Sequence, residues 1–375
     1  MKKFAFFLSA LILTSCSPFY AMRAVYEEGK ILLARKPIPE VINDSATGSD
    51  ERRKLKLVLK AREFARGLGL TPKDSFTMYT KINRDVLAWV LVGSKPDAFE
   101  LYTWWFPFVG MVPYKGFFTK KAAERAGARL KQKGYEIWIR DTEAISTLGW
   151  FNDPLLSTTL RNHEVRVVNT VFHEIFHSTV WIPNHVDFNE SLANFVGNQA
   201  SIEFYENEAR VALKNCLKSS LECKDLPAVQ NRLLARRILE REFELAGLIT
   251  RLYDELDALY KSDKTKEEKL KLREEIFNRH LRPFRARYPE LKILKKINNA
   301  EIIQLKLYLT GLPEFKRLFL KLNKSWPRFI AAIKDIKTRV EKDAALSPWQ
   351  VLDKLISARD MHKKERKIYG AQKNS

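Results

Sequence analysis

The chain has 375 residues, of which 45% are hydrophobic and 30% charged, so it can bury one large or two modest cores and is not intrinsically disordered. Its 66 Lys and Arg outnumber its 45 Asp and Glu and give a formal net charge of +21, which would suit a nucleic acid. The basic residues are spread over amphipathic stretches without a recognisable binding module, so we expect a diffuse cationic surface and no nucleic-acid partner. Anionic lipid head groups or acidic cell-wall polymers are alternative partners for such a surface.

The N-terminus is typical of an exported protein. Two lysines precede an apolar run at residues 4–13, and Thr-Ser-Cys follows at residues 14–16. The run is too short to span a bilayer, and Leu-Thr-Ser-Cys resembles a bacterial lipobox. We predict a lipoprotein signal peptide at residues 1–15 and a lipid anchor at Cys16. The protein would then lie in the bacterial cell envelope, facing the periplasm, and Ser17 favours the outer membrane by analogy with enterobacterial sorting.

Helical and strand-forming segments alternate over the next part of the chain. Apolar residues at helical spacing predict helices at 20–34 and 51–68, within an N-terminal helical segment at 16–70. Short β-branched or aromatic runs bounded by Gly, Pro and Ser then predict strands, with one helix between the last two. The strands are expected at 85–92, 100–108, 111–118 and 135–140, and the helix at 119–133. We expect a small sheet beside the helix that follows.

That helix carries a metal-site signature, His173-Glu-Ile-Phe-His177. Histidines four apart project from one helical face and can bind a single tetrahedral cation, while the intervening Glu174 serves as a general base and not as a ligand. Apolar residues recur at helical intervals around the motif, and Asn162 is a candidate N-terminal cap. A chance pair of core histidines is the alternative interpretation.

A second helical motif, Asn-Glu-Ser-Leu-Ala at residues 189–193, offers Glu190 as the third ligand of a His₂Glu site. His185 and Asp187 compete for that role, but they lie in the polar connection after Pro183. Glu203 is the nearest rival on the same helix. It is thirteen residues further on, about 20 Å along a helix axis, which is too far to share the ion.

After the second motif the sequence is almost wholly helical. Cys216 and Cys223 are expected to form a disulfide that closes a small loop, because two cysteines in an exported protein usually pair. Apolar spacing predicts helices at 230–260, 264–282, 301–309, 313–323 and 326–342. The last residues, 363–375, are predicted to form a basic flexible tail.

These motifs resemble those of a gluzincin metallopeptidase and, more closely, the bacterial predicted-aminopeptidase family of zinc lipoproteins. Matching segments cover most of the chain; they include residues 34–42, 106–117, 146–158 and 297–300. The family tends to carry a cysteine pair around its Phe-Pro-x-x-Gly turn, where this chain has Trp105 and Met111, so no crosslink is expected there.

Further site residues follow from this resemblance. Peptidases of this type commonly present an edge strand or loop to the substrate backbone. Gly149, Trp150 and Asp153, in the segment before the metal helix, are therefore candidate substrate-binding residues; a structural loop is the alternative. Tyr308 is the candidate donor to the oxyanion. Exopeptidase action would also need a carboxylate for the substrate amine, and Asp153 is the candidate for that role.

The sequence thus predicts a mostly helical α+β fold with a small sheet packed beside the metal helix and a long helical C-terminal region. A catalytic core is expected at 71–205 and a helical region that completes the cleft at 206–362. One Zn²⁺ per chain and a peptide substrate are expected, with aminopeptidase action implied by the resemblance. A membrane-anchored zinc endopeptidase and a noncatalytic envelope scaffold are the alternatives, although a decayed enzyme would be expected to have lost Glu174 or a ligand.

Overall fold

The computed structural model describes residues 18–106, 110–142, 154–216, 223–291 and 297–358. Helices dominate and the sheets are small, so the fold is of the α+β class. The predicted site residues Cys16, Gly149, Trp150 and Asp153 lie outside the described residues, as does the predicted tail. Within the described ranges, the longest apolar stretch of any helix falls short of what a bilayer crossing requires.

The N-terminal half alternates helices and short strands. The helices are α1 (Pro18–Leu33), α2 (Ile38–Asn43), α3 (Ser49–Gly67) and α4 (Lys120–Gln132). The strands are β1 (Lys36–Pro37), β2 (Met78–Thr80), β3 (Ala88–Ser94), β4 (Trp104–Phe106), β5 (Gly110–Val112), β6 (Lys115–Phe117), β7 (Glu136–Thr142) and β8 (Leu155–Leu156). The strand predicted at 111–118 is two strands, β5 and β6, because Pro113 between them has no N–H to donate to a ladder.

The C-terminal half is helical. Its helices are α5 (Ser157–Leu160), α6 (Glu164–Thr179), α7 (Val186–Cys216), α8 (Pro227–Tyr260), α9 (Lys266–Arg287), α10 (Asn299–Leu309), α11 (Leu312–Lys321), α12 (Trp326–Lys342) and α13 (Pro348–Ser357). Helix α6 is capped by His163, whose Nδ1 accepts the N–H of Val165, and not by Asn162 as predicted. The side chain of Asn162 instead donates to the carbonyl of Thr159.

The antiparallel sheet β6-β3-β7 lies between two helices. On one face Leu91 packs against Leu130 of α4 in a small buried cluster. On the other face β7 is tied to the start of α10, because Asn298 donates to the carbonyl of Ile137 at 2.9 Å. Helix α10 in turn packs against α7. The sheet that we expected beside the metal helix therefore packs on α10, and α10 connects the sheet to α7.

Strands β4 and β5 form a separate hairpin. Trp105 and Met111 are direct cross-strand partners in this hairpin, and both side chains are exposed. The two positions where the resembled family tends to carry cysteines therefore face each other across one ladder.

The main core is built around α6 and α7. Phe64 of α3, Phe172 of α6 and Phe204 of α7 form a cluster of rings, with the Phe64 and Phe204 centroids 5.4 Å apart. Each fully buried side chain of this size contributes about 1.5–3 kcal/mol to folding. The same buried cluster extends from Ile38 to Leu352, so the predicted segments 16–70, 71–205 and 206–362 share one core. Cys216, which ends α7, is disulfide-bonded to Cys223.

A glycine permits the close approach of α6 and α7. A Cβ atom added at Gly197 of α7 would lie 3.0 Å from the carbonyl oxygen of Asn169 and 3.3 Å from the Cβ of His173, both on α6. Distances this short to a backbone atom require the two helices to move apart. Gly197 therefore sets how closely the two motif-bearing helices pack.

We expect Gly197→Ala to lower the free energy of unfolding. Alanine regains about 1 kcal/mol of helix propensity, whereas overpacking costs about 1–3 kcal/mol, so the net loss should be up to about 2 kcal/mol. Urea denaturation followed by circular dichroism measures the change.

Gly67→Ala is the matched control, because Gly67 is also helical and an added Cβ would have no atom within 4 Å. This variant should be unchanged or gain up to about 1 kcal/mol. Equal stability changes in the two variants would show that a methyl group at Gly197 does not push α6 and α7 apart.

Candidate metal centre

Three side chains from α6 and α7 converge at one point. His173 and His177 are one turn apart on α6, and Glu190 lies in the second turn of α7. Their ligand-bearing atoms all lie within 4.8 Å of one another. The Nε2 atoms of the histidines are 3.1 Å apart, and the Glu190 carboxylate oxygens lie 3.3 Å from His173 Nε2 and 3.6 Å from His177 Nε2.

These distances fit a tetrahedral metal ion. Zinc bonds of about 2.0–2.1 Å place neighbouring tetrahedral ligands about 3.3 Å apart, and the three observed distances lie around that value. Two imidazoles and one carboxylate are also a typical donor set for catalytic zinc, which keeps a fourth position open. The three side chains are 14–17% exposed, so the site is partly open to solvent.

The competing ligands are placed elsewhere. The carboxylate of Asp187 accepts a hydrogen bond from Trp349 Nε1 at 2.9 Å, and that of Glu203 accepts one from Trp326 Nε1 at 2.8 Å. His185 is likewise not among the residues whose ligand atoms converge within the described part of the chain. Of the carboxylates considered from the sequence, Glu190 is the one that reaches the histidines.

The carboxylate and the imidazoles shift each other's pKa values, as Glu190 and His173 show. Burial disfavours the charged form of Glu190, but hydrogen bonds with His173 and His177 hold its pKa well below the ordinary value. Burial alone would lower the pKa of His173, yet Glu190 and the more distant carboxylates of Glu174 and Glu242 raise it. Glu190 and His173 therefore each favour the charged form of the other, and the Glu190 carboxylate would likewise favour a bound cation.

The residues around Glu190 fix its position. Asn189 clamps the preceding loop, since it accepts the N–H of Ile182 at 3.0 Å and donates to the carbonyl of the same residue at 2.7 Å. Ser191 donates to the carbonyl of Leu307, and Asn194 donates to the carbonyl of Tyr308. The second motif thus supplies a ligand and also holds the end of α10 beside it.

A partly buried polar network joins the two helices to α8. Asn169 of α6 donates to Asn198 of α7 at 3.0 Å, and Asn198 and Asn194 both donate to Glu242 of α8 at 2.6 and 3.0 Å. Burial raises the pKa of Glu242, and the two asparagine hydrogen bonds oppose this shift. This network keeps the His-bearing face of α6 in register with α7.

Sequence reasoning missed this network and the role of Gly197. A signal was present in α7, where Asn194, Gly197 and Asn198 interrupt an apolar stretch at helical spacing. Glu242, which accepts hydrogen bonds from the two asparagines, is more than forty residues away in the sequence, and no local pattern connects it to them.

Glu174, Tyr114 and Tyr308 lie near the three converging side chains, and the space that they border is called the cleft below. The ring of Tyr308 lies 6.5 Å from that of His173, centroid to centroid. Burial raises the pKa of Tyr308 to about 12; the carboxylate of Glu190 acts in the same direction, the guanidinium of Arg140 opposes it, and Glu174 raises it further. Burial and the charge of Glu190 also raise the pKa of Tyr114, again opposed by Arg140. The tyrosine hydroxyls are therefore protonated donors near neutral pH.

Comparison with known proteins identifies a family for this chain. The model of the family described as "Putative aminopeptidase" matches residues 19–346, which include all the residues of the converging site and the supporting network. No curated protein matches the chain, and no solved structure does. A match over most of the length is sufficient to assign the family that the motifs predicted: the chain belongs to the "Putative aminopeptidase" family.

Proposed function

We propose that this protein is a zinc-dependent peptidase that acts as an aminopeptidase in the bacterial cell envelope, held to a membrane by a lipid on Cys16. The observation that carries the proposal is the convergence of two histidine Nε2 atoms and one carboxylate at 3.1–3.6 Å. The family description supports a peptidase. The order of the two motifs along the chain supports a gluzincin type of site.

His173, His177 and Glu190 would hold one Zn²⁺ per chain. The ion would supply a Lewis acid that polarises the scissile carbonyl and makes a water molecule more acidic. Glu174 is half-buried next to His173, and its charge acts on both His173 and Tyr308. We assign it the role of general base, which takes the proton of the attacking water and delivers it to the leaving amine.

Tyr308 is the proposed donor to the carbonyl oxygen as negative charge develops on it. With a pKa raised by burial to about 12, its hydroxyl keeps its proton at neutral pH. The hydrogen bond from Asn194 to its backbone carbonyl fixes the position of the residue relative to Glu190. A donor held in place before the reaction stabilises the transition state more than the ground state.

Aminopeptidase action also requires a carboxylate that pairs with the free amine of the substrate. Within the described residues, the carboxylates at the cleft are Glu174 and Glu190, and both already have roles. Asp153, the residue proposed for the amine, lies outside the described ranges. A zinc endopeptidase is therefore the competing assignment for the same site.

Metal binding and hydrolysis should be separable by substitution. Glu174→Gln should retain about one zinc per chain and lose hydrolysis by several orders of magnitude, whereas His173→Ala, His177→Ala and Glu190→Ala should lose the zinc. Elemental analysis of the purified full chain and cleavage of a mixed peptide library, followed by mass spectrometry, measure the two properties.

Glu203→Gln is the control for Glu190, since it lies on the same helix and the amide still accepts the hydrogen bond from Trp326. It should keep both zinc and activity. Equal zinc loss in Glu174→Gln and the histidine variants would contradict the division of roles, and a wild-type chain without zinc or hydrolysis would support the noncatalytic alternative.

Tyr308→Phe should lower kcat by about 10²–10³-fold with little change in zinc content, because it removes a donor that acts on the developing charge. Steady-state kinetics on a single peptide identified from the library measure this effect. Tyr288→Phe is the matched control, since it removes a hydroxyl that donates to Glu244 outside the cleft. A rise in KM with kcat unchanged in Tyr308→Phe would instead assign this residue to substrate binding.

The end of the peptide that is attacked can be tested with pairs of peptides that differ only in N-acetylation. An aminopeptidase should release the first residue of the free peptide and leave the acetylated peptide intact, because the acetyl group removes the charged amine. Mass spectrometry of the products distinguishes the two cases. Internal cleavage of acetylated peptides at the same rate would establish the endopeptidase assignment.

A further inference from the structure

Arg140 lies on strand β7, on the face of the sheet that is turned towards α10. Alternate residues of a strand share a face, so Arg140 is on the same face as Glu136. Glu136 accepts the N–H of Asn299 at 3.4 Å, and Asn298 donates to the carbonyl of Ile137 at 2.9 Å. The start of β7 is therefore fixed to the start of α10.

Helix α10 packs against β7 and carries Tyr308 in its last turn. Arg140 is on the face of β7 that this helix covers. The placement matches the electrostatics, because the charge of Arg140 acts on Tyr308 and on Tyr114.

Arg140 has no carboxylate partner among the described residues. Its closest polar contact is the backbone carbonyl of Asp141, at 3.5 Å, which is too long for a strong hydrogen bond. Its guanidinium also lies 5.9 Å from the ring of Trp138. By contrast, Arg273, which approaches the start of the same strand, pairs with Glu136 at 2.5 Å.

An arginine that is partly buried and has no anionic partner in the part of the chain that the structure describes is available to bind an anion. Its five donors match a carboxylate in a two-hydrogen-bond arrangement, and the pairing is stronger where water is partly excluded. The charge of Arg140 acts on Tyr114 and Tyr308, and the ring of Tyr308 lies beside that of His173, so an anion bound here would be near the converging histidines. A peptide offers such an anion at its C-terminus or on an Asp or Glu side chain.

We infer that Arg140 binds a carboxylate of the substrate, so that the enzyme prefers peptides that carry a negative charge close to the bond that is cut. This inference rests on the proposed peptidase function. It adds a substrate class, namely short peptides with a free C-terminus or peptides with an acidic residue beside the scissile bond.

Two matched sets of short peptides test the inference. One set is trialanine with a free C-terminus and its C-terminal amide; the other is amidated Glu-Ala-Ala and Ala-Glu-Ala with their Gln counterparts. The zinc-loaded full chain should bind and cleave the charged members about 10- to 100-fold better than the neutral ones, as expected for a hydrogen bond between charged groups. Calorimetry on Glu174→Gln measures affinity without cleavage, and kcat/KM is measured on the wild type.

Arg140→Gln should remove the preference for the charged peptides, and Arg140→Lys should restore part of that preference through a point charge. Arg129→Gln is the matched control, because Arg129 is an exposed arginine of α4 on the opposite face of the sheet. The set of peptides that shows the preference identifies whether the carboxylate comes from the C-terminus or from a side chain.

Equal affinity for charged and neutral peptides, or an unchanged preference in Arg140→Gln, would overturn the role of Arg140. The proposed peptidase function would still stand in either case, provided that the wild type cleaves peptides. If the zinc-loaded wild type cleaves no peptide, the proposed function fails. Calorimetry then still decides whether the guanidinium recognises a carboxylate, because it compares the peptide affinities of the chain with Arg140 and of the Arg140→Gln variant.

Discussion

The close contact between α6 and α7 is the constraint on which the site depends. Two of the converging side chains project from one helix and the third from the other, so their separations of 3.1–3.6 Å hold only at one distance between the helix axes. Gly197 allows that distance, since any side chain there would meet the backbone of Asn169. Packed helices normally lie 8–10 Å apart according to the side chains at their contact, and a glycine at the contact gives the closest approach.

The apolar core and the polar network act on the same pair of helices in different ways. Phe172 and Phe204 supply burial, which favours compact packing but tolerates small shifts along the helices. The hydrogen bonds among Asn169, Asn198 and Glu242 are directional and permit few relative positions. Burial of an acid is costly unless its oxygens are hydrogen-bonded, and the donors of Asn194 and Asn198 meet that requirement for Glu242.

The cleft combines charges of opposite sign at short range. Glu190 and Glu174 place negative charge near Tyr308, whereas Arg140 places positive charge near the same tyrosine and near Tyr114. A zinc ion would neutralise the first of these, and a substrate carboxylate would neutralise the second. The proposed substrate class therefore follows from charge balance within the cleft, and it is independent of the diffuse positive charge spread over the whole chain.

The sequence by itself determined the elements whose chemistry is local. Histidines four apart on an apolar helix share one face by helix geometry alone, and the following Asn-Glu-Ser motif was close enough along the chain to return Glu190 to them. The long C-terminal helices also followed from apolar spacing. The boundaries were less exact where one residue changes the hydrogen bonding, as at Pro113 in the strand predicted at 111–118 and at His163, which caps α6 in place of Asn162.

Only the tertiary structure decided which distant residues complete the site. Glu242 and Arg140 come from segments with no periodic relation to the motifs, and a lone acid or arginine in sequence is indistinguishable from an ordinary surface residue. Their roles arise because α8 packs against α7, and because Asn298 and Asn299 tie β7 to the helix that carries Tyr308. Such contacts depend on how whole elements pack, and that packing is set by the summed burial of many side chains and not by any local pattern.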